Sequence, residues 1–348
     1  MGRSKKVVNL VLDTYGNYLG MEKGCITLRD RKGNVEKYPL FEAEIGEVVL
    51  KSGNMVSTGV LTALGFWGID VLLATRAGRP IAMLKNLEDD SHVKTRIAQY
   101  EALKNGKGIA IAKQIVISKI ESQNLVLRKH GLRQHDLMGV KQSVRALEFN
   151  DDIRNFRTRL LGIEGKCGNR YFEQIFLLFP KEIRVNKRHT FQAYDAVNNL
   201  FNLSYELLFW KCYRALSKAH LETHLGFLHS LIRARPSLVC DFVELYRYLI
   251  DDFLIGYSQN LKPVDFRAKT EVFNEKKGKR MYLKEKKNRE LIGTLHDFFR
   301  KEVDVPRVKR GNKQEIESLI NEEAFLLARY LRNERKEWIP RIVNLPIL

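Results

Sequence analysis

Apolar and polar residues alternate over Val7–Thr14, Cys25–Asp30 and Val35–Leu40, which predicts three half-buried strands. The last two flank Arg31-Lys32-Gly33-Asn34, a composition suited to a hairpin turn. Glu47–Lys51 predicts another short strand, and after Gly53-Asn54 the stretch Val56–Trp67 predicts a short helix ended by Gly68. Ile69–Ala74 and Pro80–Leu84 follow as apolar strands separated by Arg76-Ala77-Gly78-Arg79. Residues 1–85 therefore read as a small, mostly β domain. Asn86–Asp90 is polar and acidic and opens a linker over 86–95. Beyond it apolar residues recur at helical spacing, predicting helices at 93–105, 109–128, 138–149, 151–178, 194–218, 236–255 and 314–334. Only eight prolines interrupt the chain, which suits long helices. The fold class is α+β: a small N-terminal mostly β domain, then a larger all-α domain over 96–348.

Two of these helices carry residues out of keeping with packing alone. In 151–178, Ile153, Phe156, Leu160, Cys167, Tyr171 and Leu178 mark a buried stripe, and Glu164 falls on it. A carboxylate on an apolar face must be paired, protonated or bound to metal. Gly162, Gly165 and Gly168 surround it and weaken the helix, which points to close approach by another backbone or by a substrate. In 236–255, Pro236 suits a first turn, Leu238, Phe242, Leu245 and Leu249 form the apolar stripe, and Asp241 and Glu244 share a face at its border. Just upstream, Leu225-Gly226-Phe227-Leu228-His229 places an imidazole at the end of an apolar segment. Glu164, His229, Asp241 and Glu244 are a hard oxygen and nitrogen set suited to Mg2+ or Mn2+ rather than zinc. Ion pairing of Glu164 with an arginine of a neighbouring helix, and an exposed acidic pair at 241 and 244 with a hydrogen-bonded His229, are the plain structural alternatives.

Charge narrows the partners. The 348 residues carry 60 Lys and Arg against 41 Asp and Glu, a formal charge of +19. Such an excess calls for a polyanion, with nucleic acid before an anionic membrane. No apolar run approaches the roughly 20 residues of a spanning helix, and Val7–Leu12 is too short for a signal segment, so the chain reads as cytoplasmic. Cys25, Cys167, Cys212 and Cys240 lack zinc-site spacing and read as reduced core residues. No Walker A loop or dinucleotide fingerprint is present. Between Lys262 and Lys313, 17 basic residues face 8 acidic ones, which makes this segment either a solvated face or a phosphate-binding surface. Carboxylates and a divalent ion in so basic a protein suggest phosphodiester chemistry.

At these residues the chain resembles a known family. Ile163-Glu164-Gly165 with Tyr171-Phe172 is similar to the glutamate motif of the CRISPR-associated integrase, the larger, catalytic subunit of the spacer-adaptation complex. Asp195-Ala196-Val197-Asn198-Asn199-Leu200 through Tyr205 resembles its D-x-V-N-x-L stretch, with Asn198 as the matching asparagine. Leu225–His229 and Arg235–Leu238 through Asp241 and Glu244 resemble its histidine and acidic motifs, in order. Gly53, Val56, Ser57, Gly68–Val71 and Gly78 resemble its β domain. One departure stands at Thr223-His224, where the family often has Asp-Pro.

The resemblance implies a metal site of Glu164, His229 and Glu244, with Asp241 beside it as a supporting or alternative ligand. It implies a homodimer joined through the β domains, two of which are bridged by a small partner subunit. The reaction implied is insertion of foreign DNA fragments into a CRISPR array, a DNA 3′-hydroxyl attacking a phosphodiester, with metal-dependent nicking as a related activity. On charge alone, Arg233, Arg235, Lys276, Lys277, Lys279, Arg280, Lys284, Lys286 and Lys287 are the candidate phosphate contacts. The competing readings are a metal-dependent nuclease for branched or repair DNA and a structural DNA-binding subunit with an ion-paired acidic cluster.

Overall fold

The computed structural model describes residues 7–39, 44–76, 80–84, 91–149, 152–190, 193–229, 236–273, 276–306 and 313–346. The chain separates into two compact units, residues 1–90 and 91–348.

The first unit contains two four-stranded sheets. In one, β1 (Val7–Leu12), β5 (Glu44–Lys51) and β7 (Val71–Ala74) run parallel and β8 (Pro80–Leu84) pairs antiparallel to β7. In the other, β4 (Val35–Pro39), β3 (Cys25–Arg29) and β2 (Tyr18–Glu22) form an antiparallel meander, with β6 (Met55–Val56) added parallel to β2. Asp30 Oδ1 accepts from Lys32 N and Asn34 N, which closes the β3–β4 turn, and Gly33 supplies the positive φ that the turn needs. Helix α1 (Thr58–Phe66) is capped by the Ser57 hydroxyl on Val60 N and stops at Gly68 in the left-handed region. Leu10, Leu12, Leu19, Ile26, Val48, Leu50, Val60, Leu64 and Val71 form the core. Strand β2 has no counterpart in the hydropathy pattern. Tyr-Leu-Gly-Met-Glu does not alternate, and pairing on both sides makes it a strand.

The second unit is mostly helical. Helices α2 (Ser91–Ala102), α3 (Gly106–Lys129), α4 (Leu137–Arg145), α5 (Ile153–Ile175) and α6 (Ala196–Lys218) lie where the apolar periodicity puts them, and α10 (Ile316–Leu331) closes the chain's regular structure. Side-chain caps set several starts: Asn105 on Lys107 N, Asp136 on Gly139 N, Asp152 on Arg154 N and Asn155 N, and Asp195 on Asn198 N. Helix α6 packs against α10, and also against α7 (Ser237–Val243) and α8 (Arg247–Ser258), while α3 packs between α5 and α8. The core of this unit includes Ile115, Val116, Ile120, Leu160, Tyr171, Leu200, Phe201, Leu208, Phe242 and Leu254.

Two expectations for this unit need correction. It is not all-α: β9 (Phe266–Phe273) and β10 (Lys276–Leu283) form an antiparallel hairpin, and β11 (Glu302–Asp304) pairs with β12 (Lys313–Glu315). The hairpin lies within the basic segment, whose lysines hide its alternating pattern. Docking fixes it as strands: Asn199 Nδ2 donates to Met281 O at 2.9 Å and Arg280 Nε donates to Ala193 O at 2.9 Å. The segment continues as α9 (Glu285–Phe299), which buries Leu291, Leu295, Phe298 and Phe299. Second, the helix expected over 236–255 is two: α7 (Ser237–Val243) and α8 (Arg247–Ser258). Between them Leu245 N bonds Phe242 O and Tyr246 N bonds Val243 O, a tightened turn at the position of Glu244.

Candidate active site

Glu164 lies about three turns along α5 from the Asp152 cap, and Glu244 sits where the α7–α8 turn tightens. Both side chains converge on Lys119 of α3, a residue that hydropathy and motif did not single out. The Lys119 ammonium contacts Glu164 Oε1 directly and stands 2.6 Å from Glu244 Oε2. On its other oxygen, Glu244 pairs with Arg247 Nη1 at 3.1 Å. The partner of Glu164 is thus a lysine rather than an arginine. Periodicity did carry a signal for Lys119, because it interrupts the apolar run Ile115-Val116-Ile117-Ser118-Lys119-Ile120 and is 8% exposed.

Burial works against ionisation of Glu244, but Arg247 and Lys119, with a smaller contribution from His229, outweigh it and pull the carboxyl down to about 2. Burial likewise opposes the charge on Lys119, and Glu244 and Glu164 together hold the ammonium above its ordinary value. Glu244 stays ionised at every physiological pH. Its buried Oε2 meets the Lys119 ammonium and no backbone N–H among the described residues.

Asp241 does different work. Its Oδ2 accepts from Phe227 N at 2.6 Å and Leu228 N at 2.9 Å, and its Oδ1 accepts from His229 N at 2.8 Å and contacts His229 Nδ1 at 2.7 Å. A fully buried carboxylate saturated in this way has no oxygen left for a metal ion. The expectation that Asp241 and Glu244 reach one cation is corrected: one turn apart, they point into different networks. Asp241 instead orients the imidazole. A carboxylate only accepts, so Nδ1 carries the hydrogen, and in the neutral imidazole the lone pair is on Nε2.

The histidine loop is held from other directions as well. Arg157 Nε and Nη2 donate to Phe227 O and Gly226 O at 2.9 and 3.0 Å, and Ser237 Oγ accepts from Gly226 N and donates to His224 O. Any side chain at Gly226 would press on the Ser237 backbone. His224 is half exposed beside Glu222 and Thr223. Asn198 accepts from Arg188 and His189 N and donates to Lys187 O, fixing the segment before α6.

Among the described residues no three His, Cys, Asp or Glu side chains stand grouped as ready metal ligands, and the ammonium fills the space between the two glutamates. The donors nevertheless suit a hard divalent ion, since two buried carboxylates already share one cation position and an imidazole held through Nδ1 lies on the same unit. Among the described residues no backbone of another element lies against Gly162, Gly165 or Gly168, so of the two expectations there, another backbone or a substrate, the first is corrected. The stripe is open beside Glu164. Cys212 alone of the four cysteines is buried; the other three are partly exposed, and none is disulfide-bonded.

Of the basic candidates, Lys279, Lys284 and Lys286 are exposed. Arg280 is committed to Glu271 and Ala193 O, and Lys287 to Glu290. Lys276 and Lys277 belong to β10 but their side chains lie outside the described set, as do Arg233 and Arg235 entirely.

Fold and site together define a two-unit α+β protein whose helical unit carries a buried carboxylate–imidazole centre. The profile of one family, CRISPR associated protein Cas1, matches residues 10–296. The CRISPR-associated endonuclease Cas1 1 of Archaeoglobus fulgidus is 28% identical across 94% of this chain and 98% of its own length. The CRISPR-associated endonuclease Cas1 of Korarchaeum cryptofilum is 29% identical across 75% and 80%. A CAS1 protein from Thermotoga maritima superposes with a TM-score of 0.64 at 20% identity, covering 93% of this chain and 96% of that one. A partial Cas6-RT-Cas1–Cas2 complex gives a TM-score of 0.71 at 23% identity, over 96% and 98%. The chain belongs to the Cas1 family.

Proposed function

We propose that this chain is a divalent-metal-dependent DNA integrase and endonuclease that inserts DNA fragments at CRISPR repeats. The observation that carries the reading is the convergence of two buried carboxylates, Glu164 and Glu244, on one cation position, with an Asp241-anchored imidazole on the same unit. Glu164, Glu244 and His229 Nε2 would hold one Mg2+ or Mn2+ ion. An ion held there would supply polarisation of the scissile phosphate and stabilisation of the leaving oxygen. Asp241, Arg157 and Ser237 keep the His229 loop in register. Arg247 compensates Glu244, so the carboxylate remains charged in a buried setting. The open glycine stripe leaves room beside Glu164 for a DNA strand. Lys279, Lys284 and Lys286 contact phosphates from the hairpin and the start of α9, adding affinity without sequence preference.

Residues 1–90 form the dimer and the seat of a small partner subunit in this reading. Support comes from a cavity of about 350 Å³ lined by Leu50, Met55, Val56, Leu73 and Ile81, of which Met55 and Ile81 are more than half exposed. A Cas1–Cas2 assembly among the solved relatives is the precedent for that partner. No helix among the described residues is long and apolar enough to cross a membrane.

The test is strand transfer into supercoiled plasmid carrying a CRISPR repeat, with Mn2+, the small partner and a short duplex. Joined products at a repeat boundary that vanish with EDTA and in Glu164→Ala support the reading. Nicking without joining identifies a plain nuclease, and binding with neither activity refutes a catalytic centre.

A further inference from the structure

Lys119 occupies the place a shared metal ion would take. Its ammonium contacts Glu164 and lies 2.6 Å from Glu244, so no second cation fits between those oxygens while it stays. With Arg247 also bound to Glu244, the two carboxylates are already neutralised. One turn further along α3, on the same face, stands Gln123, 4% exposed, whose Oε1 has no hydrogen-bond partner among the described residues. A cavity of about 10 Å³ lies between these groups, lined by Lys119, Ser122, Gln123, Glu244 and Arg247. That is room for one group the size of a water or an ammonium.

We propose that Lys119 is an exchangeable counter-ion: it holds Glu164 and Glu244 together in the metal-free protein and yields its place to the divalent ion by moving to Gln123 Oε1. The inference rests on the reading of Glu164, Glu244 and His229 as metal ligands, and it makes Lys119 a positioning residue. The unpartnered Gln123 oxygen is then the second seat, idle until metal arrives. Loading becomes an exchange of one cation for another, so the buried carboxylates are never left bare. Metal affinity is set by the competition, with Lys119 lowering it and Gln123 raising it.

Calorimetric titration of Mn2+ into the full chain tests this without reference to activity. Lys119→Met removes the competitor and is expected to tighten Mn2+ binding at least tenfold while lowering the melting temperature of the metal-free protein. Lys119→Gln, which keeps a donor toward the glutamates and folds more readily, is expected to shift affinity in the same direction. Gln123→Leu removes an acceptor with no partner and is expected to weaken Mn2+ binding at least threefold, with no effect when combined with Lys119→Gln. Unchanged or weaker binding in Lys119→Gln, or unchanged binding in Gln123→Leu, overturns the exchange. Glu164→Gln distinguishes failure of the exchange from failure of the metal site: if it leaves Mn2+ affinity intact, Glu164 is no ligand and the metal-site reading itself has failed.

Discussion

Asp241→Asn is the sharpest test of how the histidine is held. The substitution keeps size and shape and turns one acceptor oxygen into an NH2 group. Each oxygen of Asp241 serves two N–H groups, Phe227 and Leu228 on one side and the backbone and ring of His229 on the other. Whichever way the amide turns, two buried donors lose their acceptor and face another donor. At about 1.5–3 kcal/mol for each hydrogen bond to a charged group, the loss is roughly 3–6 kcal/mol. For a unit of this size that predicts a fall in melting temperature of about 6 °C or more, less where the loop reorganises instead of the whole unit unfolding. Either route releases the Nδ1 anchor, and Mn2+ affinity is expected to weaken by about 10- to 100-fold. Ser237→Ala, which removes the single Gly226 N bond and the donation to His224 O, sets a milder reference near 1–2 kcal/mol in rough terms. Thermal melts and Mn2+ titrations on the three proteins measure both quantities. An Asn variant that melts within about a degree of the parent and binds Mn2+ equally well would refute the claim that Asp241 positions His229.

Other consequences follow from the same geometry. Glu164→Ala, His229→Ala and Glu244→Gln are each expected to abolish strand transfer while circular dichroism stays native; retained turnover in any one removes that residue from the ligand set. Glu244, pulled down to about 2, contributes stability that is complete above its unfolded value near 4.5 and is lost as pH falls toward 2, so Glu244→Gln should flatten the melting curve's pH dependence in that window. Asp251 has the opposite sign. Burial raises it to about 6 despite the hydroxyls of Tyr205 and Tyr171, so its stabilising protonated form is present below the unfolded value of 3.8 and lost as pH rises through 6. Asp251→Asn should therefore gain relative stability between pH 4 and 7, by roughly 3 kcal/mol at most; a difference that does not change with pH would discard this. Reversing Lys279, Lys284 and Lys286 to Glu should cut the slope of log affinity against log salt by about 0.9 for each phosphate no longer neutralised, whereas an unaltered slope would take the hairpin and α9 out of the DNA footprint. Met55→Glu with Ile81→Glu should convert a dimer to monomer in light scattering, and a persisting dimer would move the interface elsewhere.

Much of this was legible because it is local. Apolar residues around Ile115, Leu160, Leu200 and Leu327 recur at helical spacing within each helix, and Asn105 and Asp195 cap two of them, so α3, α5, α6 and α10 could be read directly. Glu164 stood out because a carboxylate on an apolar stripe needs a partner, and the charge excess named the kind of substrate. What the partner is could not be read. Lys119 is 45 positions from Glu164 and 125 from Glu244, and only the packing of α3 against α5 and α8 brings its ammonium to both. The division of labour between Asp241 and Glu244 was likewise hidden, because carboxylates at helical spacing differ only in whether backbone N–H groups surround them. Strand β2 and the β9–β10 hairpin escaped the pattern for a related reason. A strand is defined by its neighbours, and hydrogen bonds from Asn199 and Arg280 fix the hairpin in a segment whose charges alone suggested a solvated face. Sequence determined which residues had to be buried and which charges had to be met; tertiary structure alone decided by what, since that depends on contacts between residues far apart in the chain.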